Sequence, residues 1–291
     1  MLKKRIVAVL IIKDRIVVQS IAFNKYLPVG DPRVSVEFLS KWGIDEIIVL
    51  DIDATSHNRK PNFNLITEIS KRIFVPLTVG GGINTLEDMR QLIHCGADKI
   101  SINKAALENP EIIKKAALIF GNQCMVVSLD IKINKNGNYE IFSDSGKIAT
   151  GLEPVSFVKK VEALGAGEIF INSIDRDGSK SGYDLKLIKM ISDAVKIPII
   201  ACGGVGLPQH FLEGFVKGGA SASAAGNFFH FTEHSPIIVK SYLTQKGVDI
   251  RLDTYANYKD INFDEESGRI LKRPEHYLDK LRFEYLSEEI I

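Results

Sequence analysis

Three observations predict a single (β/α)₈ barrel. Eight short, mostly apolar runs alternate with amphipathic stretches, the two halves of the chain repeat one another, and glycine clusters recur at matching places after the third and seventh runs. The runs cover 5–12, 46–52, 75–80, 98–103, 124–130, 168–174, 197–202 and 220–226. Most are continuously apolar rather than alternating, as parallel strands covered on both faces require. The last, Ser221-Ala222-Ser223-Ala224-Ala225, is small rather than β-branched, and only the rhythm of the chain makes it a strand. Helical patterns fall between the runs at 34–42, 62–72, 85–95, 109–119, 153–164, 184–194, 208–217 and 235–245.

The repeat is explicit. Gly43-Ile44-Asp45-Glu46-Ile47 matches Gly165-Ala166-Gly167-Glu168-Ile169, and Pro76-Leu77-Thr78-Val79-Gly80-Gly81-Gly82 matches Pro198-Ile199-Ile200-Ala201-Cys202-Gly203-Gly204. Leu10-Ile11-Ile12-Lys13 answers Leu129-Asp130-Ile131-Lys132. The barrel is thus two fused half-barrels. Two segments break the rhythm. Residues 131–150 are too long for a plain loop, and Asn136-Gly137 between alternating residues predicts a hairpin insertion after strand five. The barrel is expected over 1–252, with 253–291 as a C-terminal extension. There Pro274 opens a helix carrying Tyr277, Leu278, Leu281 and Tyr285 on one face, to cap the barrel or dock a partner.

The 291 residues carry a net charge of +1, with 45% hydrophobic and 25% charged residues. No broad field draws such a chain to nucleic acid or to an anionic membrane. Its N-terminal apolar run is too short to span a bilayer. Cys95, Cys124 and Cys202 are widely separated, which reads as free thiols in a reducing, cytoplasmic setting. The six histidines are scattered, so no metal site is expected, and no dinucleotide or Walker fingerprint calls for a cofactor.

In such a barrel the site lies at the C-terminal ends of the strands. Glycines there let backbone N–H groups approach phosphate oxygens closely. Gly81 and Gly82, with Asn103 and Lys104, form one expected phosphate site. Gly203 and Gly204, with Gly226, Asn227 and the Asp177-Gly178-Ser179 loop, form the other. Two clamps across one mouth imply a ligand with a phosphate at each end. Asp130 ends strand five as a candidate acid or base, and Asp51, Asp175 and Asp177 are further strand-end carboxylates.

Thr78-Val79-Gly80-Gly81-Gly82-Ile83, Gly96-Ala97-Asp98-Lys99-Ile100-Ser101-Ile102-Asn103, Ser173-Ile174-Asp175-Arg176-Asp177-Gly178-Ser179-Lys180-Ser181-Gly182-Tyr183-Asp184 and Phe229-His230-Phe231 together resemble the cyclase subunit of imidazole glycerol phosphate synthase, over about residues 1–252. The resemblance implies a glutaminase partner. It also implies ammonia passing through the barrel to a ribulosyl aminoimidazole carboxamide nucleotide with two phosphates, giving imidazole glycerol phosphate and an aminoimidazole carboxamide ribotide. It implies an acid–base pair of aspartates on strands one and five, a loop-one lysine, and a gate of alternating charges at the barrel base. Arg5, Glu46, Lys99 and Glu168 match the gate, and Asp98 matches a glutaminase contact. Two matches fail: Ile11 stands where the strand-one aspartate is expected, and Gln19 where the lysine is.

Isoleucine transfers no proton, and a general acid or base is worth ~10²–10⁴-fold. Enzymatic cyclase activity is therefore in question, and three functions follow from the pattern. The first is a paralogue that takes ammonia from a glutaminase and delivers it to another acceptor, beside a sugar amidotransferase in surface-polysaccharide synthesis. The second is a working histidine-biosynthesis cyclase in which Asp51 or Asp177 substitutes for the missing aspartate. The third is a non-catalytic scaffold that binds a phosphate-bearing ligand.

Overall fold

The structure, a computed structural model, describes residues 3–230, 234–253, 256, 258 and 261–271. Eight parallel strands form the barrel: β1 (Arg5–Lys13), β4 (Glu46–Asp51), β5 (Leu77–Gly80), β6 (Lys99–Ile102), β7 (Met125–Ile133), β10 (Glu168–Ser173), β11 (Ile199–Cys202) and β12 (Ala222–Ala225). Each neighbour is hydrogen-bonded to the next, and the β7–β10 pairing completes the closed circuit. Every expected barrel strand is present, three of them starting two residues later than the apolar runs suggest.

Alternation along β1 explains why the runs are apolar throughout. Ile6, Ala8, Leu10 and Ile12 face the helices in the larger core, while Val7 and Val9 face the lumen. Phe170, Ile48, Val126 and Ile200 join them inside, so the lumen is lined chiefly by hydrocarbon.

The surrounding helices are α1 (Pro32–Lys41), α3 (Phe63–Ser70), α4 (Leu86–His94), α6 (Glu111–Phe120), α7 (Pro154–Ala163), α8 (Leu185–Ser192), α9 (Pro208–Val216) and α10 (Ser235–Gln245), with short α2 (Ile52–Ser56) and α5 (Lys104–Glu108) at the mouth. Local chemistry sets their starts. Asp31 caps α1 ahead of Pro32, and Thr85 with Asp88 forms a reciprocal capping box on α4. No described helix is long and apolar enough to cross a membrane. The small residues of β12 have a packing reason. Tyr183 and Phe211 meet edge to face at 6.4 Å beneath it, and Tyr183 Oη donates to the carbonyl of Ala224 at 2.9 Å. Large side chains at the helix-facing positions Ser223 and Ala225 would displace them, while Ala222 and Ala224 face the lumen.

Two hairpins, not one, grow from the barrel. The expected one extends β7 into β8 (Tyr139–Ser143) and β9 (Ile148–Ala149). The other, β2 (Ile16–Ile21) with β3 (Lys25–Gly30), leaves the end of β1 and was not predicted. Its turn is Asp14-Arg15, both left-handed at φ +49° and +66°, and neither is glycine. A tertiary contact holds it: Asp14 N donates to Asp53 Oδ2 at 2.8 Å, while Lys13 pairs with Asp53 Oδ1 at 3.1 Å. The two hairpins follow equivalent strands of the two halves.

Beyond α10, Tyr242 packs on Phe263 with centroids 5.6 Å apart, and Ser267 accepts from Gln209 N. This stretch therefore lies against α9 and α10. The expected helix after Pro274 lies outside the described residues.

At the base, Lys240 of α10 is buried and its ammonium meets Asp45 Oδ1 at 2.5 Å; Asp45 Oδ2 accepts from Ile6 N at 2.8 Å. Burial pulls the Lys240 pKa down against the pull of Asp45. Removing one partner of a buried pair strands the other charge, at about 3–5 kcal/mol. Asp45→Ala is therefore expected to destabilise by that amount in chemical denaturation. Asp45→Asn combined with Lys240→Met, which keeps the acceptor for Ile6 and removes the stranded charge, is expected to recover most of the loss.

Candidate functional site

The two glycine clusters sit where the strands end, and the repeat holds at atomic detail. Gly81 has φ +106° and Gly203 has φ +100°. A Cβ on Gly81 would lie 2.2 Å from the carbonyl oxygen of Asp51, and one on Gly203 would lie 2.8 Å from that of Ser173. The crowded carbonyls occupy equivalent positions in the two halves. Only glycine fits both the dihedral and the space.

Each cluster opens on a cavity. The first, about 120 Å³, takes in Gly81, Gly82, Asn103, Lys104, Asp51 and Asp130. The second, about 40 Å³, takes in Gly178, Gly203, Gly204, Gly226, Asn227 and Asp177. Ile11 and Asn172 line both, so the cavities meet across the centre of the mouth. Every expected phosphate-site residue except Ser179 lies at one cavity or the other.

Several of these side chains are already engaged within the protein. Asn103 Nδ2 donates to Asp130 Oδ2 at 3.2 Å and to the carbonyl of Ser128 at 3.1 Å, which positions the aspartate. Asn227 grips Ser20 on both sides, accepting from its N–H at 3.1 Å and donating to its carbonyl at 2.7 Å. Asp177 Oδ2 accepts from Ser20 Oγ at 2.6 Å and from Phe23 N at 3.1 Å. Thus the β2–β3 hairpin is pinned over the mouth by residues expected to serve a ligand, and Ser20, Phe23 and Tyr26 become cavity wall. Sequence reasoning missed these three because it missed their hairpin. Asn172 carried a signal, being a buried polar residue directly after the apolar run Ile169-Phe170-Ile171.

The carboxylates differ sharply in state. Asp130 is held by burial, and secondarily by the nearby Asp177 charge, at a pKa of about 7, with the Asn103 hydrogen bond working in the opposite direction. Burial also raises Asp177, offset by its bonds from Ser20 and Phe23. Asp51 has another task. It accepts from Asp53 N and Ala54 N as the cap of α2 and forms a fork with Arg59 at 2.9 and 3.0 Å. That is a helix anchor's engagement rather than the expected proton carrier's. Asp175 is likewise a loop anchor, accepting from Ile133 N at 2.9 Å. Gln19 lies half-buried on β2, opposite Leu27. Among the described residues, no cluster of histidine, cysteine and carboxylate could hold a metal.

At the opposite end the four collar residues form a ring. Arg5 meets Glu46 at 2.6 Å and Glu168 at 2.8 Å, and Lys99 meets the same two carboxylates at 3.0 Å each. Thr78 Oγ1 donates a further bond to Glu46 at 2.8 Å. Asp98 is exposed on the same base, where its carboxylate accepts from Leu77 N.

A family model described as histidine biosynthesis protein matches residues 5–235. Among known proteins, a chain provisionally named imidazole glycerol phosphate synthase subunit hisF2, from Vibrio vulnificus, is 44% identical over 264 residues, covering 91% of this chain and 97% of its own. Two subunits named HisF of imidazole glycerol phosphate synthase, from two Clostridium botulinum strains, are 46% and 45% identical over 253 residues, covering 87% of this chain and all of theirs. With its closed barrel, its repeated glycine clusters and this extent of identity, the chain belongs to the HisF-type cyclase-subunit family of imidazole glycerol phosphate synthase.

Proposed function

We propose that this chain is the ammonia-receiving subunit of a glutamine-dependent complex and delivers nitrogen to an acceptor other than the bisphosphate nucleotide of histidine biosynthesis. The observation that carries the reading is Ile11. It lines both cavities at the centre of the mouth, in the position that the repeat equates with Asp130. One side of the mouth holds an aspartate titrating near neutrality; the other holds a hydrocarbon side chain.

A glutaminase docks on the collar face in this reading, with Asp98 among its contacts. The hydrocarbon lumen favours neutral ammonia over ammonium, since an unpaired cation there would lose its hydration without compensation. The ring is closed in this structure, so passage requires one of its ion pairs to open. Sugar amidation for surface polysaccharide, beside a sugar amidotransferase in the cytoplasm, is the setting proposed for the acceptor.

One observation favours a second reading, that of a working cyclase. Asp177 stands close enough to Asp130 to raise its pKa, and burial raises its own, so the pair could share acid–base work. Expression in a histidine auxotroph lacking its cyclase separates the two. No rescue, together with stimulation of a cognate glutaminase by the purified chain, is the expected result. Rescue would establish the second reading instead.

Ile11→Asp with Gln19→Lys restores the two groups that the family pattern calls for. With ammonium salt and saturating nucleotide supplied, this variant is expected to raise the turnover to imidazole glycerol phosphate by at least ~10²-fold over the parent. No gain in a folded variant would show that the mouth is reshaped beyond these two positions.

Asp130 also carries a pH signature. Its pKa is raised on folding, so between about pH 4 and 7 the native state binds more protons than the unfolded chain, and stability falls as pH rises through that window. Asp130→Asn keeps the acceptor for Asn103 and removes the charge. Relative to the parent it is expected to gain on the order of 2–4 kcal/mol between pH 5 and pH 8 in denaturant titrations, with any cyclase activity lost.

A further inference from the structure

The two clamps share a backbone design but not an electrostatic one. Three carboxylates, Asp51, Asp130 and Asp144, and a single ammonium, Lys104, line the first cavity. That ammonium is taken. Lys104 Nζ meets Asp144 Oδ1 at 2.9 Å, with the lysine side chain 33% exposed and the aspartate 23% exposed. The pairing raises the Lys104 pKa, chiefly through this hydrogen bond. Asp144 comes from the hairpin inserted after β7, in a turn where Asp144 and Ser145 both adopt left-handed φ, +49° and +57°, without being glycine. Two such residues in succession cost conformational energy. The turn nonetheless brings a carboxylate to the one cation of the first clamp.

The second cavity is built the other way. Lys180 is exposed, lines that cavity beside four glycines, and forms no ion pair among the described residues. The cavity's one carboxylate, Asp177, is turned to Ser20 and Phe23.

We infer that the mouth is polarised: the second cavity takes the phosphate of a monophosphorylated ligand, and the first, with Lys104 neutralised by Asp144, takes the ligand's uncharged hydroxylated or basic end. A phosphate at the first clamp would face Asp130 and Asp144, with Asp51 answered by Arg59, and would first have to draw Lys104 away from Asp144. Hydroxyl or amine donors meet acceptors there instead. This deepens the proposed function by giving the ammonia acceptor a chemical class, and it orients that acceptor with its phosphate-free end beside Asp130.

The test is inorganic phosphate binding to the whole chain, followed by calorimetry and by ³¹P line broadening at fixed ionic strength. The parent is expected to bind one phosphate, with any second site at least tenfold weaker. Lys180→Gln is expected to weaken the strong site about tenfold or more, and Lys104→Gln to leave it within twofold. Asp144→Asn frees Lys104 and is expected to bring a second site to within a few-fold of the first. Circular dichroism of each variant checks the fold. Two sites of equal strength in the parent, loss of the strong site in Lys104→Gln, or no second site in a folded Asp144→Asn would each overturn the polarity. No phosphate binding at all would overturn it together with the clamps themselves. None of these results bears on glutaminase stimulation, so the ammonia-receiving reading stands or falls separately.

Discussion

Four charges at the base of a barrel can be buried only if each is answered by another, and the rest of this structure depends on how that is done. Glu46 is almost completely buried, and its two oxygens receive Arg5, Lys99 and Thr78. Glu168 joins the same two cations from the far side. The four residues come from β1, β4, β6 and β10, so the ring ties both half-barrels together across the axis. Desolvation makes such a ring costly unless every member is satisfied, and its stabilising value is modest. Its stronger consequence is geometric, since it fixes strand ends relative to one another and leaves the lumen above it to hydrocarbon.

That fixed frame lets the two hairpins act as walls. Each prolongs a barrel strand beyond the sheet and folds back over the mouth, and each reaches a clamp through a polar side chain. Ser20 of the first hairpin is held by Asn227 and Asp177; Asp144 of the second holds Lys104. Fusion of two similar halves therefore gave one mouth with two similar backbones, and the hairpins made its sides unlike. The difference at Ile11 and Asp130 has the same origin: one pattern, Leu-x-Ile-Lys, carries hydrocarbon in one half and a carboxylate in the other.

Burial then sets the chemistry. Asp130 follows the apolar run of β7 at the floor of the mouth, where few donors reach it and Asp177 lies close, so its proton is held to near neutrality. Asp51 ends β4 and lines the same cavity but meets a helix start and a guanidinium, which turn this carboxylate into an anchor. Strand-end position alone does not distinguish the two; the groups that reach each carboxylate do.

The barrel was legible in the sequence because parallel strands buried on both faces must be apolar throughout, and because the repeat marks equivalent strands even where β12 lacks β-branched residues. The glycine clusters were legible for a similar reason, since backbone crowding admits only glycine there, whereas the four collar residues were picked out only by their match to the family pattern. The β2–β3 hairpin was not legible, since its Asp14-Arg15 turn has no glycine or asparagine signal and is held by Asp53, 39 residues away. Nor could the sequence show which side chains at the mouth were already engaged. Asn227, Asp51 and Lys104 stand at the expected strand ends, yet their partners Ser20, Arg59 and Asp144 arrive from other loops. Periodicity and local steric rules are properties of neighbouring residues and survive in one dimension. Electrostatic pairing is decided by which distant groups share a few ångströms of space, and only the folded chain brings them there.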